Sequence, residues 1–276
     1  MKAGYLQFKP ELGKAKKNIE KVEDLLSNES FDLLVLPELA NSGYLFEDIK
    51  ELKQVSENPD TGKFCGMLKR LSKEKDAYIV SGFCESVREG GKEIYFNSSI
   101  LVFPTGEFRV YRKTHLFFDE KKFFEPGNTG FWVYEIFNKK FGFVKIGMMI
   151  CYDWIYPEAA RSLALRGADI ICHPSNLVMP YCQQAMFTRA LENHVYTITA
   201  NRVGKDINGG STLNFTGESV ILSPKGEYVA RGSKDGEELM FVKINPELAR
   251  NKFINEKNDL FAERRDHFYK VRDKRN

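Results

Sequence analysis

The sequence lacks the long apolar runs and the excess of one charge that mark several large classes of protein. No apolar run approaches the roughly 18 residues of a membrane span, and the first segment, MKAGYLQFKPELGKAKKN, has no apolar signal-peptide core. The 41 basic and 38 acidic residues leave a net charge of +3. We therefore expect a cytoplasmic protein with no electrostatic reason to bind nucleic acid or an anionic membrane.

Cysteine and histidine are scarce, and their spacing argues against disulfides and bound metals. The five cysteines are an odd number without a CxxC pair, and there are four histidines. Cys172 and His173 are adjacent, so on a strand their side chains point to opposite faces and cannot share one ion. We expect reduced thiols and no metal site.

Strand and helix patterns alternate along the chain. About eleven apolar or alternating runs predict strands, and apolar residues at helical spacing predict helices within residues 12–28, 62–76, 157–167 and 182–194. Two hairpins are predicted because LVFPTGEFRV and ILSPKGEYVA place Pro104 and Pro224 at the same position of similar turns. Since no Pro/Gly/Ser-rich linker divides residues 1–276, we expect a single α/β domain with two mixed sheets face to face and helices outside.

The stretch GMMICYDWIYPEAAR places a cysteine where a strand turns into a helix. KIGMMI is typical of a buried strand, and PEAARSLALRG begins with proline and ends with glycine, as helices often do. At such a position we expect the Cys151 thiol to be accessible and the helix dipole to favour its thiolate form. Cys151 is therefore a candidate nucleophile, although most free cysteines are buried structural residues.

Two further strand ends carry charged side chains. DLLVLPELANSGY places Glu38 directly after an apolar strand and a proline, where an idle carboxylate at the core edge would be costly. YRKTHLFFDE places Lys113 at the end of a hairpin strand, with Glu120 seven residues later. Each could alternatively be an ordinary exposed residue. The four histidines lie in no recognisable Cys-His protease motif, so a Cys-His dyad has no support.

In this chain order, the glutamate, lysine and cysteine motifs resemble the catalytic set of the nitrilase superfamily of carbon-nitrogen hydrolases. Further similar segments are FFEPG, RALENHVYTITANRVG and GESVILSPKGE, so the resemblance covers nearly the whole chain. It implies an α-β-β-α four-layer sandwich that dimerises through the helices after the cysteine motif. Residues 249–276 are then expected to form a tail that contacts the partner in a homodimer or higher homo-oligomer.

The resemblance also implies a cysteine mechanism that needs no cofactor. Cys151 is expected to be the nucleophile, Glu38 the general base and Lys113 the cation that stabilises negative charge. The backbone N–H of Tyr152 would complete the oxyanion hole. Glu120 is expected to position these groups, with a structural ion pair as the alternative. In the free enzyme the proton can rest on either Cys151 or Glu38.

The residues say least about the substrate. The segment after the cysteine lacks the paired arginines of N-carbamoyl amino acid hydrolases, which disfavours a substrate carboxylate. The sequence of these segments most resembles that of archaeal thermophilic nitrilases, which act on small aliphatic nitriles. N-carbamoylputrescine amidohydrolases are the second resemblance. A tyrosine nevertheless replaces the tryptophan that those enzymes carry after the cysteine. We expect a small nitrile or amide, with an N-carbamoyl amine as the alternative. Candidate pocket residues, each of which could instead be a core or turn residue, are Tyr44, Tyr152, Trp154 and Asn176.

Two other functional classes are less well supported. A non-catalytic ligand-binding or scaffold member would be expected to have lost one of the three charged or thiol residues, and all are present. A thiol redox protein would need a resolving cysteine. The nearest in sequence, Cys172, lies beyond a helix and another strand.

Overall fold

The computed structural model describes residues 1–269, and its strands mostly lie where the apolar runs predict them. A polar hairpin around residues 205–214 was not predicted, and several strands begin or end a few residues from the predicted positions. The strands are β1 (Lys2–Gln7), β2 (Leu33–Val35), β3 (Tyr78–Glu89), β4 (Lys92–Val102), β5 (Phe108–Arg112), β6 (Val133–Asn138), β7 (Gly142–Met148), β8 (Ile170–Pro174), β9 (Tyr196–Ala200), β10 (Lys205–Asn208), β11 (Ser211–Asn214), β12 (Val220–Leu222), β13 (Tyr228–Arg231) and β14 (Glu238–Lys243).

Four of the α-helices lie in the predicted segments, and one short helix was missed. The missed helix buries only Leu52 and Val55, too few positions for a clear helical period. Asp48 marks its start, since the Asp48 carboxylate accepts hydrogen bonds from the backbone N–H groups of Lys50 and Glu51. The helices are α1 (Ala15–Leu26), α2 (Ile49–Val55), α3 (Lys63–Lys75), α4 (Pro157–Leu165) and α5 (Cys182–Asn193).

Two six-stranded mixed sheets form the centre of the fold, as predicted. Their strand orders are β14-β1-β2-β3-β4-β5 and β13-β12-β9-β8-β7-β6. In the first, β1, β2 and β3 are parallel neighbours flanked by antiparallel strands. The second has the same pattern around β7, β8 and β9. The two predicted Pro-x-Gly hairpins, β4–β5 and β12–β13, therefore occupy equivalent edges, and the sheets repeat one plan.

Alternation along the strands produces the four layers. In β2, Leu33 and Val35 face the other sheet, whereas Leu34 joins the cluster packed on α1 and α3. The inner cluster continues through the second sheet to Leu163 of α4 and Met186 of α5. The order of layers is thus helices, sheet, sheet, helices, which confirms the predicted α-β-β-α sandwich.

The additional hairpin, β10–β11, turns at Gly209 and Gly210, both with positive φ. The sequence Asn-Gly-Gly is a known hairpin signal, but the flanking strands are polar and show no apolar alternation. Asp206 of β10 accepts hydrogen bonds from the backbone N–H groups of Tyr44 (2.9 Å) and Leu45 (3.2 Å). The hairpin is therefore joined to the segment that follows β2. Within residues 1–269, no helix has the length and apolar character needed to cross a membrane.

Candidate active site

Glu38 is held at the end of β2 by close backbone packing. The Leu36 N–H donates to the Val80 carbonyl (2.8 Å), and the Gly82 N–H donates to the Pro37 carbonyl (3.0 Å). A side chain at Gly82 would place its Cβ 2.4 Å from the Cα of Glu38. Only glycine permits this approach, and the approach carries the buried Glu38 side chain into the interior between the sheets.

Lys113 links two buried glutamates. Its ammonium donates to Glu38 Oε1 and to Glu120 Oε1, each at 2.7 Å. Asn97 supports the pair from β4. Its side-chain amide donates to Glu38 Oε1 (2.7 Å), and its backbone carbonyl accepts from the backbone N–H of Lys113 (2.8 Å). The Tyr44 hydroxyl donates to Glu120 Oε1 (2.6 Å). The structure thus brings four of the predicted site residues into one cluster.

The charges of this cluster depend on one another. Burial alone disfavours the charged form of Lys113, but Glu120 and Glu38 outweigh it and raise the lysine pKa. Burial raises the pKa of Glu120, and Glu38 adds to this, although Lys113 acts in the opposite direction. Lys113 is therefore a fixed cation across the physiological range, and it is unsuited to act as a base.

The two oxygens of Glu38 have different surroundings. Oε1 accepts hydrogen bonds from Asn97 and Lys113. Oε2 is buried and has no hydrogen-bond partner among residues 1–269. A buried carboxylate oxygen normally has a partner. The unpartnered Oε2 is free to accept a proton.

Cys151 lies on a strained turn after β7. Its φ is +39°, a left-handed conformation that costs energy for any residue with a side chain. Two neighbours hold the turn. The His173 ring is 2.9 Å from the Cys151 carbonyl through Nε2, and Asp153 Oδ2 accepts from the Ile150 N–H at 2.9 Å. Asp153 also accepts from the Tyr111 hydroxyl at 2.7 Å.

The expectation of an accessible thiol that favours the thiolate form is wrong. Cys151 is 7% exposed. Burial and the negative charge of Glu38 raise its pKa well above the usual value, and Lys113 reverses only part of that shift. The helix whose dipole was expected to favour the thiolate begins only at Pro157, because a 3₁₀ turn over Cys151–Ile155 precedes it. Burial and Glu38 therefore favour the neutral thiol form of Cys151 over the thiolate.

The predicted pocket residues line two adjoining cavities. Tyr152, Trp154 and Asn176 line a narrow cleft of about 20 Å³ that reaches Cys151. Both side-chain amide atoms of Asn176 are buried without a hydrogen-bond partner in the described part of the chain. Tyr44 lines the neighbouring cavity of about 290 Å³. Phe117 and Val178 line both spaces.

Sequence reasoning missed several residues that hold the site together. Asn97, Asp153 and His173 are buried polar side chains within apolar or aromatic segments. Asn97 contacts Glu38, His173 contacts the Cys151 carbonyl, and Asp153 accepts from the backbone N–H of Ile150, next to Cys151. A polar residue inside a buried strand was the available signal. His173 is kept neutral, because burial lowers its pKa to about 4. Within residues 1–269, no group of three or more His, Cys, Asp or Glu side chains is arranged to hold a metal ion.

Comparison with known proteins agrees with this fold. The profile of the carbon-nitrogen hydrolase family matches residues 2–252. A nitrilase of Pyrococcus abyssi is 43% identical over 272 residues, which cover 98% of this chain and 99% of that protein. An N-carbamoylputrescine amidase of Arabidopsis thaliana is 29% identical and covers 87% of this chain and 83% of its own length. A carbon-nitrogen hydrolase structure from Helicobacter pylori superposes with a TM-score of 0.81 at 27% identity, covering 98% and 97% of the two chains.

These matches extend over nearly the full length of the chain. The α-β-β-α sandwich is the architecture of a nitrilase-superfamily enzyme. The chain belongs to the carbon-nitrogen hydrolase family, and it is a hydrolase of carbon-nitrogen bonds.

Proposed function

We propose that the protein hydrolyses a small nitrile or amide through a thioester on Cys151, releasing ammonia and a carboxylic acid. The observation that carries the proposal is the buried Glu38–Lys113 pair, whose charges act on the Cys151 thiol and whose Glu38 Oε2 has no partner among residues 1–269. Family membership and the nitrilase of Pyrococcus abyssi support the reaction class.

In the first step, Glu38 Oε2 takes the thiol proton as the sulfur of Cys151 attacks the carbonyl carbon of an amide. The carbonyl oxygen becomes negatively charged. The Lys113 ammonium and the Tyr152 backbone N–H stabilise that oxyanion. Glu38 then gives the proton to the amide nitrogen, and the C–N bond breaks. Ammonia departs, and the acyl group remains on Cys151 as a thioester.

In the second step, Glu38 takes a proton from water as the water oxygen attacks the thioester carbon. The C–S bond breaks, the acid leaves, and the proton returns to the Cys151 sulfur. A nitrile follows the same route with one additional water. Sulfur adds to the nitrile carbon, water adds to the resulting thioimidate, and loss of ammonia yields the same thioester.

The alternative substrate is an N-carbamoyl amine, which the similarity to the Arabidopsis thaliana enzyme supports. N-Carbamoylputrescine, the substrate named for that relative, carries a distal ammonium that needs an acidic partner. Asp119 lines the larger cavity but already pairs with Lys122 at 2.9 Å. We therefore place this substrate second.

We also propose that the chain acts as one domain and as a homodimer or higher homo-oligomer. Large apolar side chains are exposed on α4 and α5, where Leu165 and Leu191 are about two-fifths exposed, and on the tail at Phe253 and Ile254. Association would cover them. Residues 270–276, which complete the predicted tail, lie outside the described residues. Sedimentation of Leu191→Lys beside the unaltered protein tests this, with a monomer expected for the variant.

Ammonia release from matched nitriles, amides and N-carbamoyl amines tests the mechanism. Cys151→Ala should lower kcat by at least about 10³-fold, because the covalent route is lost. Cys172→Ala is the matched control, since Cys172 is also free and buried but lies within β8. Intact-mass measurement of the unaltered protein, quenched with acid during turnover, should detect an acyl adduct that Cys151→Ala does not form. Equal activity of Cys151→Ala and the unaltered protein would refute the proposed nucleophile.

A further inference from the structure

The cavity beside the Cys151 cleft has an unusually aromatic wall. Its volume is about 290 Å³, and it shares Phe117 and Val178 with the cleft that reaches the thiol. Leu45 and Leu213 add aliphatic surface. A group bound to the Cys151 sulfur can therefore extend into this space. The aromatic side chains that line it are Tyr44, Phe46, Phe117, Phe118, Phe123 and Phe124.

The charged groups of this wall leave no partner for a charged substrate. Among residues 1–269, the only charged residues that line it are Asp119 and Glu120, and no lysine, arginine or histidine lines either cavity. Glu120 is bonded to Lys113 and Asp119 to Lys122. Lys113, which holds Glu120, already contacts two carboxyl groups. A substrate carboxylate placed here would lose water without gaining a cation, and an ammonium would have to displace Lys122.

We propose that this cavity is the acyl pocket, and that it selects an uncharged apolar acyl group about the size of one aromatic ring. The inference rests on the proposed cysteine mechanism, because the acyl group is the part that remains on the sulfur. The volume of about 290 Å³, just under the roughly 300–1,000 Å³ found for ligand pockets, admits a group of this size. Ring-on-ring contact with the aromatic wall supplies the affinity.

Leu213 is the position at which a cation can be added to test whether the pocket discriminates against acyl groups that carry a carboxylate. It lies on β11, is partly buried and lines the cavity. Ile207, on the paired strand β10, is 61% exposed and lies outside the lining of both cavities. A lysine can therefore be introduced on the same hairpin either at the wall of the pocket or away from it.

The test compares kcat/KM for the nitriles and amides of four acyl groups. They are acetyl, 3-phenylpropanoyl, 3-carboxypropanoyl and 4-aminobutanoyl. For the unaltered protein we expect the phenyl compound to exceed each of the others by at least about tenfold, since one methylene in an apolar pocket is worth about 10- to 200-fold. Leu213→Lys should raise the ratio of carboxylate to phenyl substrate by at least about tenfold. Ile207→Lys should leave that ratio unchanged.

Binding separates this inference from the mechanism. Calorimetry of the same four amides with Cys151→Ala measures the pocket without turnover. Preference for the phenyl amide in binding, without hydrolysis by the unaltered protein, would support the pocket and refute the mechanism. Turnover with preference for acetyl or a charged group would refute the pocket and leave the mechanism standing. Equal effects of Leu213→Lys and Ile207→Lys would also overturn the pocket.

Discussion

Arg112 and Lys113 are neighbours in the sequence, and each pairs with a buried glutamate, yet the two pairs differ in what they leave unbonded. Arg112 donates to both oxygens of Glu85 at 3.0 and 2.8 Å, and the Ser98 hydroxyl donates to Glu85 Oε2 at 2.5 Å. Lys113 holds only one oxygen of Glu38, and the other has no partner among residues 1–269. One pair is complete, whereas the other retains an unused acceptor.

Strand geometry and side-chain chemistry explain the difference. Successive residues at the end of β5 point to opposite faces, so one cation faces the Glu85 side and the other the Cys151 side. The planar guanidinium binds both oxygens of a carboxylate, whereas an ammonium is a point charge. A lysine at the site can therefore stabilise charge and leave one carboxylate oxygen for proton transfer. An unbonded buried acceptor costs about 1–3 kcal/mol of stability, a cost that the proposed proton transfer by Glu38 would explain.

Of the substitutions that test this difference between the two pairs, Glu38→Gln should have the largest effect, a loss of kcat. The amide keeps the shape of the side chain but cannot take the thiol proton, so kcat should fall by about 10²- to 10⁴-fold. The free energy of unfolding should change little, because Lys113 keeps its contact with Glu120. Ammonia release and chemical denaturation measure the two quantities.

The matched variant on the other pair is Glu85→Gln. Removing its charge leaves the largely buried Arg112 without a counter-ion, which should lower the free energy of unfolding by about 3 kcal/mol. Activity below the melting temperature should be retained. If Glu85→Gln lost activity without losing stability, or Glu38→Gln did the reverse, the distinction between the two pairs would be wrong.

The second-largest effect should be a pH dependence of stability caused by His173, whose ring contacts the Cys151 carbonyl. Burial lowers the pKa of His173 from 6.5 to about 4, so the folded protein binds this proton less readily than the unfolded chain. Between these values the free energy of unfolding should therefore fall as pH falls, by up to about 3 kcal/mol in total. Urea denaturation at several pH values from 7 to 4 measures the slope. His173→Gln should be less stable at neutral pH but should lack this part of the slope. An unchanged slope would show that His173 is not the group responsible.

The smallest effect should come from Tyr44→Phe, which removes one hydrogen bond behind Lys113. That bond lowers the pKa of Glu120, so its loss should raise this pKa further. The acid limb of the kcat profile should then move to higher pH, and kcat should fall by about tenfold. Tyr78→Phe, which loses a hydrogen bond to the Phe137 carbonyl far from the site, is the control and should keep the profile. An unchanged profile in Tyr44→Phe would argue for a purely structural role of Glu120.

The elements that local pattern determines were predicted well. Buried strands such as β7 and β8, the helix after Pro157 and the Pro-x-Gly hairpins follow from the side chains of neighbouring residues. The polar hairpin β10–β11 was missed because contacts with the segment at Tyr44, rather than its own apolar face, stabilise it. Tertiary contact overrides a weak local signal in such segments.

The sequence by itself determined which strand ends carry Glu38, Lys113 and Cys151, because strand periodicity and turn chemistry depend on adjacent residues. Only the tertiary structure decided that Asn97 supports Glu38, that six aromatic side chains line one cavity, and that burial raises the pKa of the Cys151 thiol. These properties depend on burial and on distances between residues far apart in the chain. Electrostatic and packing energies follow distance in space, which no local pattern encodes.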